Sequence, residues 1–165
     1  MIKISFHALA KASAVAFFAA AFLPGATLNR ASAHENHSTF SAGQPGDPHK
    51  PARTVEIAMR EEYGLQIFVP EKVEVRRGEQ IRFVIHNEGT HDHEFLLATT
   101  AENVKHAAIM KKNPDMVHDD PSGITVKPQK TGELFWRFTK AGTFEYSCLI
   151  PGHREEGMIG TVTVK

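Results

Sequence analysis

Apolar and polar residues alternate along most of the chain after Arg53, which is the pattern of strands with one buried face. The alternating apolar positions are Val55, Ile57 and Met59, then Val73 and Val75, then Ile81, Phe83 and Ile85. Further short strands are predicted at residues 93–98, 134–138, 143–148 and 159–164. The turn residues Arg77-Gly78-Glu79, Gly132 and Gly142 separate several of these runs.

One segment has the pattern of a helix instead. Residues 101–112 lack the alternation, and Thr99 with Glu102 three residues later forms a capping-box pattern at their start. Asn113 and Pro114 end the helix and lead into a polar loop over residues 113–122. About eight short strands and one helix predict an all-β fold, a Greek-key antiparallel β-sandwich with one short helical insertion.

The N-terminal residues have the features of an export signal. Lys3 and Lys11 precede residues 12–23, which are apolar apart from Ser13, and Ala-Ser-Ala follows at residues 31–33. Twelve apolar residues are too few to cross the roughly 30 Å hydrocarbon core of a bilayer as a helix. We therefore expect residues 1–33 to be a signal peptide cleaved after Ala33, with an uncleaved anchor as the alternative. A periplasmic protein with no membrane span after cleavage is predicted.

Residues 34–52 form a second segment of distinct composition. They contain His34, His37 and His49 with several glycines and prolines, and they have few apolar residues. Such a segment buries too little surface to offset the entropy of ordering it. We expect a flexible lead-in at residues 34–52 and a single domain at residues 53–165.

The charge balance limits the class of partner. The chain has 19 basic and 19 acidic residues, and the first 33 residues contain three of the basic ones and no acid. The remainder carries 16 basic and 19 acidic residues, a net charge of −3. This charge argues against a nucleic-acid partner. The protein is also expected to be a monomer.

The single cysteine is informative in an exported protein. Cys148 has no second cysteine with which to form an internal disulfide. It is therefore a buried bystander, an intermolecular link, a nucleophile or a metal ligand. Its neighbours distinguish among these roles.

Cys148 begins a Cys-x4-His-x4-Met motif that continues with His153 and Met158, in the loop between the last two predicted strands. Pro151 and Gly152 provide a turn that can bring the imidazole back toward the sulfur. Thiolate and thioether are soft donors that suit Cu(I), and two histidines, one cysteine and a weak axial methionine are the ligands of mononuclear blue-copper sites.

A second histidine must come from elsewhere in the chain. His93 has the parity of Phe95 and Leu97 and is expected to point inward, whereas His91 is expected to face solvent and is the alternative ligand. The predicted copper ligands are therefore His93, Cys148, His153 and Met158.

With these motifs, the chain resembles the cupredoxins, the family of plastocyanin, azurin, rusticyanin and auracyanin, over about residues 55–165. The resemblance implies one type 1 copper that cycles between Cu(II) and Cu(I) and exchanges electrons with a redox partner protein. Asn commonly follows the first histidine in the family, but Glu94 stands there in this chain. A side-chain hydrogen bond between the two ligand loops is therefore in doubt.

Two other functions compete with electron transfer. The chain also resembles periplasmic cupredoxins of bacterial copper resistance, with copper-handling partners. Additional donors for such a role are His34, His37 and His49 in the lead-in and Met110, Met116 and His118 around the end of the helix. Cupredoxin-type enzymes require further copper domains, for which the 132 residues after the signal leave no room, so no enzymatic activity is expected.

Overall fold

The computed structural model describes residues 40–113 and 120–165, and these residues form ten strands and one helix. The strands are β1 Gln44–Pro45, β2 Arg53–Glu62, β3 Leu65–Val69, β4 Lys72–Val75, β5 Gln80–Asn87, β6 His93–Ala98, β7 Gly123–Val126, β8 Thr131–Arg137, β9 Gly142–Ser147 and β10 Ile159–Val164. The helix, α1, spans Thr100–Lys112 between β6 and β7. The predicted signal peptide lies outside the described residues.

The strands form two five-stranded sheets, in the order β1-β8-β5-β2-β3 and β4-β10-β9-β6-β7. The predicted β-sandwich is confirmed, but the sheets are mixed rather than wholly antiparallel. The pairs β2–β5 and β4–β10 are parallel, and the other six pairs are antiparallel. Parallel neighbours need a crossover, and the chain makes one when it leaves the first sheet to form β4 before it returns as β5.

The core lies between the two sheets and contains the apolar positions that the alternation marks. Inward-facing side chains from both sheets form one buried cluster that includes Ile57, Met59, Ile81, Phe83, Ile85, Phe95, Trp136, Tyr146 and Val162. Tyr146 stacks on Phe95 with ring centroids 5.0 Å apart, and its hydroxyl donates to the Pro70 carbonyl at 2.5 Å. The Cys-x4-His-x4-Met motif therefore follows the end of a strand that is anchored deep in the core.

The described part of the predicted flexible lead-in differs from expectation. Ala42 is fully buried, and its carbonyl accepts a hydrogen bond from the Trp136 indole at 3.1 Å. Phe40 packs edge-on against the same indole, and β1 pairs with β8. A buried tryptophan N–H requires an acceptor, so the lead-in orders because Trp136 offers both a donor and a ring. The folded unit therefore includes residues 40–47, which precede Arg53.

The helix begins as the sequence predicts. Thr99 caps it, its side chain accepting from the Glu102 backbone N–H while the Glu102 carboxylate accepts from the Thr99 backbone N–H, and Asn113 is the C-cap. Within residues 40–113 and 120–165, no helix is long and apolar enough to cross a membrane.

Candidate metal centre

Three neighbouring strands bring the predicted ligands together. In the second sheet β9 lies between β6 and β10. Cys148 follows the last residue of β9, His93 is the first residue of β6, and Met158 precedes β10. The Cys148 backbone N–H donates to the Met158 carbonyl at 3.2 Å, and the Met158 N–H donates to the His153 carbonyl at 3.0 Å. The loop that carries His153 is therefore closed at its base.

The side chains of His93, Cys148 and His153 converge. One donor atom from each lies within 4.8 Å of the other two. Nδ1 of His153 is 3.3 Å from Sγ of Cys148 and 3.2 Å from Nδ1 of His93. His93 and Cys148 are fully buried, whereas His153 is half-buried. One imidazole of the cluster therefore reaches the surface.

Burial controls the protonation of the three groups. It lowers the pKa of His93 and of His153 because it disfavours the charged imidazolium, and the charge of His153 lowers the pKa of His93 further. Burial also raises the pKa of the Cys148 thiol to about 12, although backbone N–H groups of Glu94 and Ile150 oppose the rise. Both imidazoles are thus neutral at pH 7 and able to bind a metal, and a metal that binds the sulfur must displace its proton.

The donor set fits copper. Nδ1 of His153 makes a short contact with Nδ1 of His93 and another with Sγ of Cys148. A single N–H on this nitrogen could donate to only one of these two atoms. A cation among them would instead be bound by all three lone pairs. Two imidazole nitrogens and one thiolate are the equatorial set of a blue-copper site. Met158 is fully buried in the same core cluster as Cys148, and its carbonyl accepts from the Cys148 backbone N–H, but the three converging donors do not include its thioether.

Glu94 joins the two ligand segments despite its departure from the family pattern. Its backbone N–H donates to Sγ of Cys148 at 3.3 Å. Its carboxylate accepts from the Leu149 N–H at 3.3 Å. The Glu94 carboxylate thus forms a side-chain hydrogen bond between the two ligand segments, although the asparagine common in the family is replaced.

His91 faces solvent as expected, with a side chain 66% exposed, and Nδ1 lies 2.9 Å from the Glu61 carboxylate. Burial alone would raise the pKa of Glu61, but hydrogen bonds from His91 and Thr90 outweigh it and lower this pKa to about 2. Sequence patterns did not indicate Glu61, because its role depends on contacts with residues about 30 positions away.

An ion pair between the buried Glu145 and the partly buried Arg154, which the sequence did not indicate, supports the ligand loop. Nη2 of Arg154 donates to both carboxylate oxygens of Glu145 at 2.9 and 3.0 Å. Asn103 of α1, also buried, donates to the same carboxylate at 3.2 Å. Leu149, at the other end of the loop, packs in a small cluster with Leu96 and Met110. The helix and the loop are therefore held together beside the predicted metal ligands.

The additional donors are only partly described. Met110 is buried in that small cluster, so its thioether is a packing group in this structure. His49 is exposed, and its backbone N–H donates to Asp47. His34, His37, Met116 and His118 lie outside the described residues.

Comparison with known proteins gives the family directly. The model of the family described as "copper binding proteins, plastocyanin/azurin family" matches residues 55–165. Curated relatives include the copper-resistant cuproprotein CopI of Rubrivivax gelatinosus, 47% identical over 135 residues that cover 82% of this chain and 80% of the relative. The CopI protein of Pseudomonas aeruginosa is 33% identical, over 74% of this chain and 82% of the relative.

Solved structures show the same fold. Auracyanin B superposes with a TM-score of 0.60 at 22% identity, over 78% of this chain and 99% of that one. Auracyanin A of Chloroflexus aurantiacus has a TM-score of 0.58 at 23% identity, over 70% of this chain and all of that one. The family-model match and the two relatives show that the chain belongs to the plastocyanin/azurin family of copper-binding proteins, the cupredoxins, and is a relative of the copper-resistant cuproproteins CopI.

Proposed function

We propose that the protein is a periplasmic type 1 copper protein that transfers single electrons. His93, Cys148 and His153 would hold the copper, with Met158 as a weak fourth ligand. The observation that carries this proposal is the convergence of the three donor atoms within 4.8 Å. Copper, when bound there, supplies a one-electron couple between Cu(II) and Cu(I).

The residues around the site support electron transfer. The closed base of the loop, the Glu94 bridge and the Arg154–Glu145 pair hold the ligands in place. Ligands that do not move keep the reorganisation energy of an electron transfer small. His153 is half-buried, so its ring is the ligand that a redox partner would approach.

Copper resistance is a second candidate, favoured by the relatives. Both CopI proteins are named copper-resistant cuproproteins, and each match covers at least 80% of the relative. The same site would then bind copper in the periplasm, with a copper-handling partner. The histidines of residues 34–49 and the Met116 and His118 pair would supply further donors.

We propose no enzymatic role. Within the described ranges, the three-residue cluster is the one group of at least three Cys, His or acidic side chains placed to hold a metal. The multicopper oxidase of Campylobacter jejuni shares the fold at 16% identity, and the match covers 31% of that oxidase. The shared fold therefore carries no argument for oxidase activity.

His93→Ala is expected to lower copper affinity at least tenfold and to shift the visible spectrum, because it removes one equatorial nitrogen. His91→Ala is the matched control, since it removes an exposed imidazole two residues away, and it should leave the spectrum unchanged. Copper titration followed by optical absorption and electron paramagnetic resonance measures both effects. If the two variants exchange their behaviour, His91 is the ligand.

Deletion of residues 34–39 is expected to separate the two candidate functions. The deletion stops before Phe40 because Phe40 and Ala42 pack on Trp136. For a copper-handling role, the mature protein should bind more than one equivalent of copper, and the deletion should lower both that number and the copper tolerance of the source cell. The visible spectrum should not change. One equivalent, unaffected by the deletion, would support the simple electron carrier.

A further inference from the structure

We propose that Glu61 is the outer hydrogen-bond acceptor of the His93 ligand, positioning its imidazole and lowering the reduction potential of the bound copper. This inference rests on the proposed function, because it assigns a role to a residue that acts through one of the proposed ligands. Glu61 lies near the end of β2, in the sheet opposite the strand that carries His93.

The Glu61 carboxylate is fixed by the turn that precedes His93. Oε1 accepts from the Thr90 N–H at 2.8 Å and from the His91 N–H at 3.1 Å. Oε2 accepts from the Thr90 hydroxyl at 2.9 Å. The buried Asn87 holds this turn, since its side chain donates to the His91 carbonyl and accepts from the Gly89 N–H. The carboxylate is therefore held in one orientation.

Gly89 leaves space for the Glu61 carboxylate. A Cβ at position 89 would lie 2.6 Å from Oε1 of Glu61 and 3.0 Å from Cδ. The first distance is too short and the second is tight, so a side chain at position 89 would displace the Glu61 carboxylate. The turn thus accommodates Glu61 both by its N–H groups and by the absence of a side chain.

The carboxylate faces the outer nitrogen of His93. Oε1 of Glu61 is 3.6 Å from Nε2 of His93, whose side chain is fully buried. That nitrogen has no hydrogen-bond partner among the described residues. The other nitrogen, Nδ1, is directed at His153. His93 therefore directs one nitrogen toward the other two donor residues and the other nitrogen toward Glu61.

Metal binding at Nδ1 of His93 would make Nε2, the outer nitrogen, a hydrogen-bond donor that requires an acceptor. When Nδ1 of a neutral imidazole binds a metal, the ring proton is on Nε2, which becomes a donor. Metal-bound histidines almost always donate this proton to a carboxylate, a carbonyl or water. A ring movement of about half an ångström would bring Nε2 of His93 within the usual N–H···O distance of Glu61.

The negative charge has a consequence for redox chemistry. A carboxylate beside a ligand stabilises the higher-charged Cu(II) more than Cu(I), and it does so strongly where water is excluded. Glu61→Gln keeps the shape and an acceptor oxygen but removes the charge. We expect about a tenfold increase in the Cu(I) to Cu(II) ratio at a fixed potential, which for one electron corresponds to a shift of about 59 mV.

Glu62→Gln is the matched control for the potential measurement. It makes the same charge change one residue away, and successive residues of a strand point to opposite faces. The Glu62 side chain is 45% exposed and lies 3.7 Å from Arg60. His91→Gln is a second control, since it tests whether loss of the Glu61–His91 contact alone shifts the potential. Redox titrations of the copper-loaded proteins should show a higher reduction potential for Glu61→Gln and an unchanged potential for either control.

Nuclear magnetic resonance of the diamagnetic Cu(I) wild-type protein gives a test that needs no variant to fold. We expect the Nε2 proton of His93 to exchange slowly with solvent and to be shifted downfield by its acceptor. A fast-exchanging proton, or a potential for Glu61→Gln equal to that of Glu62→Gln, would overturn the proposal. A wild-type protein without thiolate-to-copper absorption would refute the proposed function itself, and with it the role of Glu61.

Discussion

Cys148→Ser is expected to abolish the intense visible absorption of the copper-loaded protein. The absorption arises from charge transfer between thiolate and Cu(II), and a hydroxyl is a poor ligand for Cu(I). Because Cys148 is fully buried and serine is of similar size, the fold should persist. Copper titration followed by absorption and circular dichroism measures colour and fold separately.

Ser147→Ala is the matched control for the loss of colour. Ser147 is the fully buried neighbour of Cys148, and its hydroxyl donates to the Met158 carbonyl at 3.4 Å. This variant should keep the absorption because it removes no metal ligand. A coloured Cys148→Ser protein would contradict the assignment of the thiolate as a copper ligand.

Trp136→Ala is expected to be the most destabilising substitution outside the metal centre. Truncation of a fully buried tryptophan typically lowers the free energy of unfolding by about 3–5 kcal/mol. Here it also leaves the buried Ala42 carbonyl without its donor and removes the ring on which Phe40 packs. Urea unfolding followed by circular dichroism measures the change, since Trp136 is the one tryptophan of the chain and fluorescence would be lost.

Phe135→Ala on the same strand provides the comparison for Trp136→Ala. Phe135 is half-buried on the opposite face, with the Arg82 guanidinium 6.0 Å from its ring centroid. Truncation of Phe135 should lower the free energy of unfolding clearly less than truncation of Trp136. Equal losses for the two variants would show that residues 40–45 add little to the stability of the domain.

Much of the fold was predictable because the information is local. Alternation over five to ten residues marks β2, β5 and β8, and the capping pair Thr99 and Glu102 marks the start of α1. The spacing of Cys148, His153 and Met158 also lies within one loop. These features depend on neighbours along the chain, which a sequence displays directly.

The features that were not predicted depend on contacts between distant residues. β1 is two residues long, and its pairing depends on Trp136, more than 90 positions away. The parallel pairing of β2 with β5 depends on the path of the chain between the sheets. Glu61 and the Glu145–Arg154 pair are ordinary charged residues in the sequence, and only the folded chain places them beside the ligands.

The buried carboxylate of Glu145 sets a condition on grafting ligand loops from other cupredoxins into this protein. Glu145 is 5% exposed, and its guanidinium partner, Arg154, lies inside the segment that such a graft would replace. Removal of one member of a buried ion pair typically costs about 3–5 kcal/mol, because the other charge is left without compensation. A grafted loop would therefore have to retain an arginine after its histidine, or be introduced together with an uncharged residue at position 145.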